Sequence, residues 1–274
     1  MPTIKKLYTA SGTAITAPTD SSLTGLNFED ILTTTSADYT VLDDDGYTTL
    51  LFSTGGSNRT CTLPTLAANE NRVIKIKKID SGTGTLIIDG EGSETIDGST
   101  TKVLRKQYDE IVIQASATEW VIVGIYLVPP DSEVHVYNGA LGHGSTSTCI
   151  RRFNDIGVNT GTSITYADSA TLGATFTINE AGIYAISYID ARAAGSCAIG
   201  VSKNSNQGTT AISGISAAHF VAYAESGSAG ESSFVGQTLV LASGDVIRAH
   251  TDGLPGSLGD NKTRFRIVQV TRNI

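Results

Sequence analysis

Several residue groups in this 274-residue chain have types and spacings that chemistry can use. Asp43-Asp44-Asp45-Gly46 sets three carboxylates before a glycine, as calcium loops do. Calcium takes six or more oxygen ligands, and here the later spaced ligands and the closing glutamate are missing. The run therefore reads as a charged turn, and whether calcium occupies an acidic loop stays open. Asp89-Gly90-Glu91-Gly92 and Asp97-Gly98 read as hairpin turns, where Asp and Gly supply the backbone angles. Gly142-His143-Gly144-Ser145 puts an imidazole and a hydroxyl in one glycine-rich loop. A hydrolase nucleophile needs Gly-x-Ser-x-Gly at a strand-to-helix elbow, and no helix follows here. His135, His219 and His250 fall in strand patterns, the setting of a satisfied core or interface imidazole. Cys61, Cys149 and Cys197 form no Cys-x-x-Cys pair, and no histidine stands at zinc spacing from them. They read as buried free thiols, consistent with folding in a reducing cytoplasm. These groups assign no catalytic, cofactor-binding or metal-binding residue, name no cofactor, and leave receptor-binding residues unknown; the chain reads as a non-enzyme.

The elements that hold these groups are strands. Hydrophobic residues make up 40% and charged residues 17%, with 29 Gly and much Thr and Ser, a mixture that disfavours helices. The net charge of −8 repels phosphate backbones and argues against nucleic-acid binding. Lys75-Ile76-Lys77-Lys78 and Arg151-Arg152 read as solvated strand faces rather than basic sites. The start, Met1-Pro2-Thr3-Ile4-Lys5-Lys6, lacks the apolar core of a signal peptide, and no stretch is apolar enough to insert in a membrane. Asn58-Arg59-Thr60 and Asn261-Lys262-Thr263 match the glycosylation sequon by chance on this reading.

Residues 1–37 are the least regular stretch and read as an N-terminal anchoring arm, with room for a short helical turn around Asn27 to Leu32. Residues 38–128 read as a β domain. Its strands include Leu50 to Phe52, Thr60 to Leu63, Val73 to Lys77, Thr85 to Ile88, Thr101 to Leu104, Glu110 to Ile113 and Trp120 to Val123. In Val73 to Lys77 the Ile and Lys residues alternate, the period of a half-buried sheet. Asp45-Gly46, Gly55-Gly56 and Ser81-Gly82 supply turn signals between them, so a sandwich or barrel is expected. No repeat of solenoid length recurs, which argues against a parallel β-helix.

Pro129-Pro130-Asp131 breaks the pattern and marks a boundary. In residues 129–274 strands are expected at Glu133 to Tyr137, Cys149 to Phe153, Ser163 to Tyr166, Ala174 to Ile178 and Gly182 to Tyr188. Others follow at Cys197 to Ser202, His219 to Tyr223, Ser233 to Leu241, Asp245 to His250 and Arg264 to Val270, enough for a jelly roll. The fold class is all-β: an arm, a small sandwich or barrel, and a C-terminal jelly-roll knob.

Two stretches carry a family resemblance. "TLPTLAANENRVIKIKKIDSGTGTLIIDGEGSETIDGS" and "QYDEIVIQASATEWVIVG" resemble a β domain recurrent in phage tail and virion proteins. There the Leu-Pro ends a strand, the Val-Ile-Lys-Ile run pairs centrally, and the tryptophan caps the core. "ITYADSATLGATFTINEAGIYAISYIDARA", "LVLASGDVIRAHTDG" and "FRIVQV" look like the trimeric jelly rolls of the complement globular head and tumour necrosis factor families, in wording similar to phage-encoded members. The resemblance implies a homotrimer, with Tyr184 or Tyr188 near the threefold axis and binding loops at one end. No Gly-x-y collagen stem precedes the knob.

The expected function is that of a structural protein of a bacteriophage virion, made in the host cytoplasm. It would be a capsid decoration or head-fibre protein, or a short tail fibre. The arm would contact capsid or tail proteins, and the knob would serve adhesion to a host surface glycan or protein, or stabilisation. The alternatives are a secreted or cellular lectin-like glycan-binding module and, behind it, a capsule depolymerase.

Overall fold

The structure, a computed structural model, describes residues 30–45, 47–138, 142–191, 197–225, 232–253 and 261–273, with side chains from residue 35 onward except Tyr47. The chain divides into two compact units between Val128 and Pro129.

The first unit contains β1 (Asp30–Thr35), β2 (Tyr39–Thr40), β3 (Tyr47–Phe52), β4 (Arg59–Thr62), a four-residue helix (Leu66–Asn69) and β5 (Val73–Lys78). β6 (Leu86–Asp89), β7 (Thr101–Leu104), β8 (Glu110–Ala115) and β9 (Trp120–Tyr126) follow. Its sheets run β1-β3-β5-β8-β9 and β2-β4-β6-β7. Inward residues of both, including Phe52, Ile76, Leu63, Ile88 and Trp120, form one buried core, so the unit is a sandwich.

Its winding differs from the expected run of hairpins. Up to β6 successive strands alternate between the sheets, and β1, β3 and β5, like β2, β4 and β6, pair in parallel. That is the path of a short solenoid. Its period is hidden from the sequence because the strands of one sheet begin at residues 30, 47 and 73, so the coils differ in length. Gly55-Gly56 and Ser81-Gly82 are stacked corners of neighbouring coils rather than hairpin tips. The Gly84 N–H donates to the Gly55 carbonyl at 2.9 Å, and a Cβ on Gly84 would lie 2.0 Å from the Ser57 carbonyl oxygen. Antiparallel strands close the open end, β7 on β6 and the β8–β9 hairpin on β5. Asp97-Gly98 is a tight turn: both residues have positive φ, 42° and 73°, while Ile96 and Ser99 exchange backbone hydrogen bonds.

The end of the expected arm is also different. Residues 30–35 are β1, an edge strand paired along β3, so no helical turn covers residues 30–32. Residues 1–29, the rest of the arm, lie outside the described residues.

The second unit contains β10 (Glu133–Asn138), β11 (Asp155–Thr160), β12 (Ile164–Ala167), β13 (Thr175–Ile178), β14 (Gly182–Ala191) and β15 (Ile199–Lys203). After a single 3-10 turn (Ile212–Gly214) come β16 (Phe220–Ala224), β17 (Ser232–Leu241), β18 (Val246–Thr251) and β19 (Thr263–Arg272). The sheets are β11-β10-β19-β14-β17 and β12-β13-β18-β15-β16, antiparallel throughout. The pairing nests: β10 with β19, β13 with β18, β14 with β17, β15 with β16. A long hairpin rolled up on itself gives this order, and it defines a jelly roll. Phe176 stacks on Phe265 with ring centroids 4.3 Å apart, Phe153 meets both rings, and Tyr188 meets Phe153 and Phe265. Cys149 to Phe153 is not a strand; the segment makes single bridges at Ile150 and Arg151, and the next strand starts at Asp155. No helix among the described residues is long and apolar enough to cross a membrane.

Candidate assembly face and the buried polar cluster

The alternation of β14 decides which of its residues another molecule can touch. Tyr184, Ile186 and Tyr188 are buried in the jelly-roll core, while Ile183, Ala185, Ser187 and Ile189 take the opposite face. Neither tyrosine can therefore line an axis between copies. The Tyr184 hydroxyl donates to the Glu180 carbonyl at 2.6 Å, and the Tyr188 hydroxyl donates to Asp190. The expectation that Tyr184 or Tyr188 nears an axis between copies fails because both side chains point into the core.

The register extends this outer face across the sheet. Ile189 lies beside Phe234 and Arg264, Ser187 beside Gly236 and Arg266, Ala185 beside Thr238 and Val268, and Ile183 beside Val240. Phe234 is 61% exposed, Val240 67% and Val270 48%. The β10 side is polar. Arg266 donates to Glu133 at 2.7 Å, and the rings of His135 and Tyr137 lie 4.5 Å apart. The Arg266 hydrogen bond holds the Glu133 carboxyl below the usual carboxylate range against the opposing effect of burial. The face thus has an apolar half along β14 and β17 and a charged half along β10.

Beneath it lies a polar cluster that sequence reading missed. Arg151, expected on a solvated strand face, is fully buried and reaches across the sandwich to Asp190, also fully buried. Its Nε and Nη2 donate to the two carboxylate oxygens at 2.8 and 2.7 Å, and Thr263 Oγ1 adds a bond at 3.1 Å. Burial works against the Arg151 charge, but the Asp190 carboxylate outweighs it and raises its pKa. Burial, reinforced by Asp190, pushes the Tyr188 phenol well above its ordinary value. The signal available in the sequence was a lone Asp in the otherwise apolar and small-residue run of β14. Its neighbour Arg152 does face outward and pairs with Asp168 at 2.7 Å.

The other sequence motifs are absorbed into structure. His143 Nε2 meets Thr251 Oγ1 at 2.8 Å, and burial followed by the nearby Arg151 charge lowers its pKa to about 4. The Ser145 N–H donates to the Ala170 carbonyl, and no hydrogen bond joins His143 to Ser145 among the described residues. His250 is buried, with Nδ1 3.1 Å from Ser202 Oγ and Nε2 2.8 Å from the Thr210 carbonyl oxygen. His219 Nδ1 lies 3.1 Å from the Lys203 carbonyl. Cys61, Cys149 and Cys197 are buried free thiols.

In the first unit Lys75 and Lys77 lie on the outer face with Glu110, but Lys78 is fully buried, unlike the solvated face expected. Its Nζ donates to Asp80 Oδ1 at 2.8 Å and to the Asp80 carbonyl at 2.7 Å. Burial raises the Asp80 carboxyl, but Lys78 and the N–H groups of Thr54 and Gly55 hold it far below the usual range. This pair pins the two stacked corners. The acidic run at Asp43 to Asp45 holds a cation of its own: Arg72 donates to the carbonyls of Leu42 and Asp45 at 2.9 and 2.7 Å. No cluster of metal-ligating side chains occurs among the described residues.

No protein-family model matches the chain, and no curated protein matches it. Among solved structures, murine APRIL at pH 8.0 aligns at 15% identity over 50% of this chain and 98% of its own, with a TM-score of 0.37. The globular domain of zebrafish complement 1qA aligns at 16% identity over 53% of this chain and 100% of its own, with a TM-score of 0.35. Eiger TNF from S. frugiperda gives 12% identity, 53% and 96% coverage, and a TM-score of 0.37. These likenesses are distant, and the jelly-roll assignment stands on the nested strand pairing of the second unit.

Proposed function

We propose that this protein is a non-enzymatic structural component of a bacteriophage particle, associating as a homotrimer through the outer face of β10, β14, β17 and β19. One observation carries the association: Phe234, Val240 and Val270 are exposed on one continuous sheet face, next to Ile183, Ala185 and Ile189. A contiguous apolar patch on a soluble monomer is costly, and copies of the same surface are the partner always at hand. The non-enzymatic reading is supported by His143, Arg151, Tyr188 and Asp190, whose side chains are hydrogen-bonded to one another or to neighbours inside the fold. The virion setting rests on the resemblance of the stretch from Thr62 through Val123 to phage virion domains.

Mass measured in solution at micromolar concentration tests the association. A trimer is expected for the wild type and a monomer for Val240→Asp. A wild-type monomer sinks the reading. Placement is tested by imaging whole particles and by deleting residues 1–29, which leaves β1 in its sheet. Loss of incorporation is expected, and particles that still carry the truncated protein would remove the anchoring role of the arm.

A further inference from the structure

A second exposed apolar feature lies on the other sheet, on the edge strand β16 that borders β17. Phe220 and Tyr223 are three residues apart on the edge strand β16, a spacing that normally points side chains to opposite faces. Here they share one face. A bulge between Val201 and Ser202 places Phe220 opposite Ser202 and Tyr223 opposite Gly200, with Val221 as the extra residue. Val221, Ala222 and Ala224 pack on the core, and the two rings turn outward, 42% and 36% exposed, with centroids 6.1 Å apart. Phe153, Phe176, Tyr184, Tyr188 and Phe265 of this unit are fully buried, whereas this pair, like Phe234 on the other sheet, stands exposed.

Polar groups border the rings. Tyr223 donates its hydroxyl to Glu225 at 3.0 Å, and Ser213, on the 3-10 turn over Gly200, donates to Asp252 at 3.4 Å. Asp252 lies close enough to raise the Tyr223 phenol, after burial and Glu225. Neither carboxylate has a cationic partner among the described residues. The two adjacent rings, tilted 37° to one another, present an apolar surface wide enough for a sugar ring, and the carboxylate lone pairs accept hydroxyl protons around its rim. The same carboxylates repel a sugar that carries its own negative charge.

We infer that Phe220, Tyr223, Glu225 and Asp252 form a saccharide subsite that stacks a neutral or amino hexopyranose, the host-surface contact that the sequence leads one to expect of the knob; the inference rests on the virion reading proposed above. The apolar C–H face of the sugar covers the rings, and its hydroxyls donate to Glu225 and Asp252.

The test uses the full-length protein on a microarray of neutral, amino and carboxylate-bearing pyranosides, with solution mass measured on the same samples. Binding to neutral or amino sugars is expected, about tenfold weaker for Phe220→Ala or Tyr223→Ala as the stacked area is lost. Tyr223→Phe keeps the ring and should bind within about threefold of wild type. Glu225→Gln keeps both rings and is expected to weaken neutral binding while admitting acidic sugars. No binding to any sugar, binding confined to acidic sugars, or alanine variants that bind as wild type does would each overturn the subsite. A trimer that binds no sugar removes the subsite alone; a monomer removes the association reading.

Discussion

Replacing Arg151 by methionine isolates the buried ion pair from everything else in the jelly roll. Both partners are fully buried and joined by two charge-assisted hydrogen bonds at 2.7 and 2.8 Å. Arg151→Met leaves Asp190 with the Tyr188 and Thr263 hydroxyls as its side-chain donors among the described residues. Uncompensated buried charges of this kind cost about 3–5 kcal/mol, whereas a hydrophobic replacement of both partners is often neutral. For a unit of this size the cost corresponds to a fall in Tm of roughly 10 °C. The single tryptophan, Trp120, sits in the first unit. Its fluorescence therefore serves as an internal control for the first unit, while near-ultraviolet dichroism reports both units and includes the buried Tyr184 and Tyr188 of the second, whose transition is the part that fluorescence does not share. At fixed protomer concentration that unshared transition should move down in Arg151→Met and the fluorescence transition should stay. Arg151→Met/Asp190→Leu should recover at least half of the loss, a coupling beyond additivity. If Arg151→Met melts within about 2 °C of wild type, the pair is not holding the sheets together and the reasoning from buried charge is wrong.

Three further outcomes follow from other sites. His143 has a folded-state pKa of about 4 against 6.5 in the unfolded chain, and His250 is lowered in the same direction, so the fold favours their neutral forms. Their contribution is complete above pH 6.5 and is lost as the pH falls from there toward 4. Unfolding free energies of the second unit from urea titration should drop across that window, by up to about 3 kcal/mol from His143, and fall less in His143→Gln. In the first unit Lys78→Met leaves Asp80 without its cation; a loss of about 2–3 kcal/mol is expected in the tryptophan-monitored transition. Gly84→Ala drives a methyl into the Ser57 carbonyl and should cost about 1–3 kcal/mol in that transition, whereas Gly56→Ala meets nothing and should be nearly silent.

The all-β class and most strand positions were legible because burial of one sheet face imposes a period of two, as in Val73 to Lys78 and Gly182 to Ala191. The Asp97-Gly98 turn was legible because few residues tolerate positive φ there. Parallel pairing in the first unit was not. Which strand a strand pairs with depends on where the chain travels between them, and corners such as Gly55-Gly56 look alike in a hairpin and in a coil. The partnership of Arg151 with Asp190 was equally hidden, because 39 residues of chain separate them and only sandwich closure brings them together. Parity within β14 is a tertiary outcome of the same kind: tyrosine suits either face, and packing against Phe153 and Phe265 turned Tyr188 inward. Local sterics and the hydrophobic period wrote the strands into the sequence. Long-range closure, which no local window of residues contains, chose their partners and the face left for another molecule.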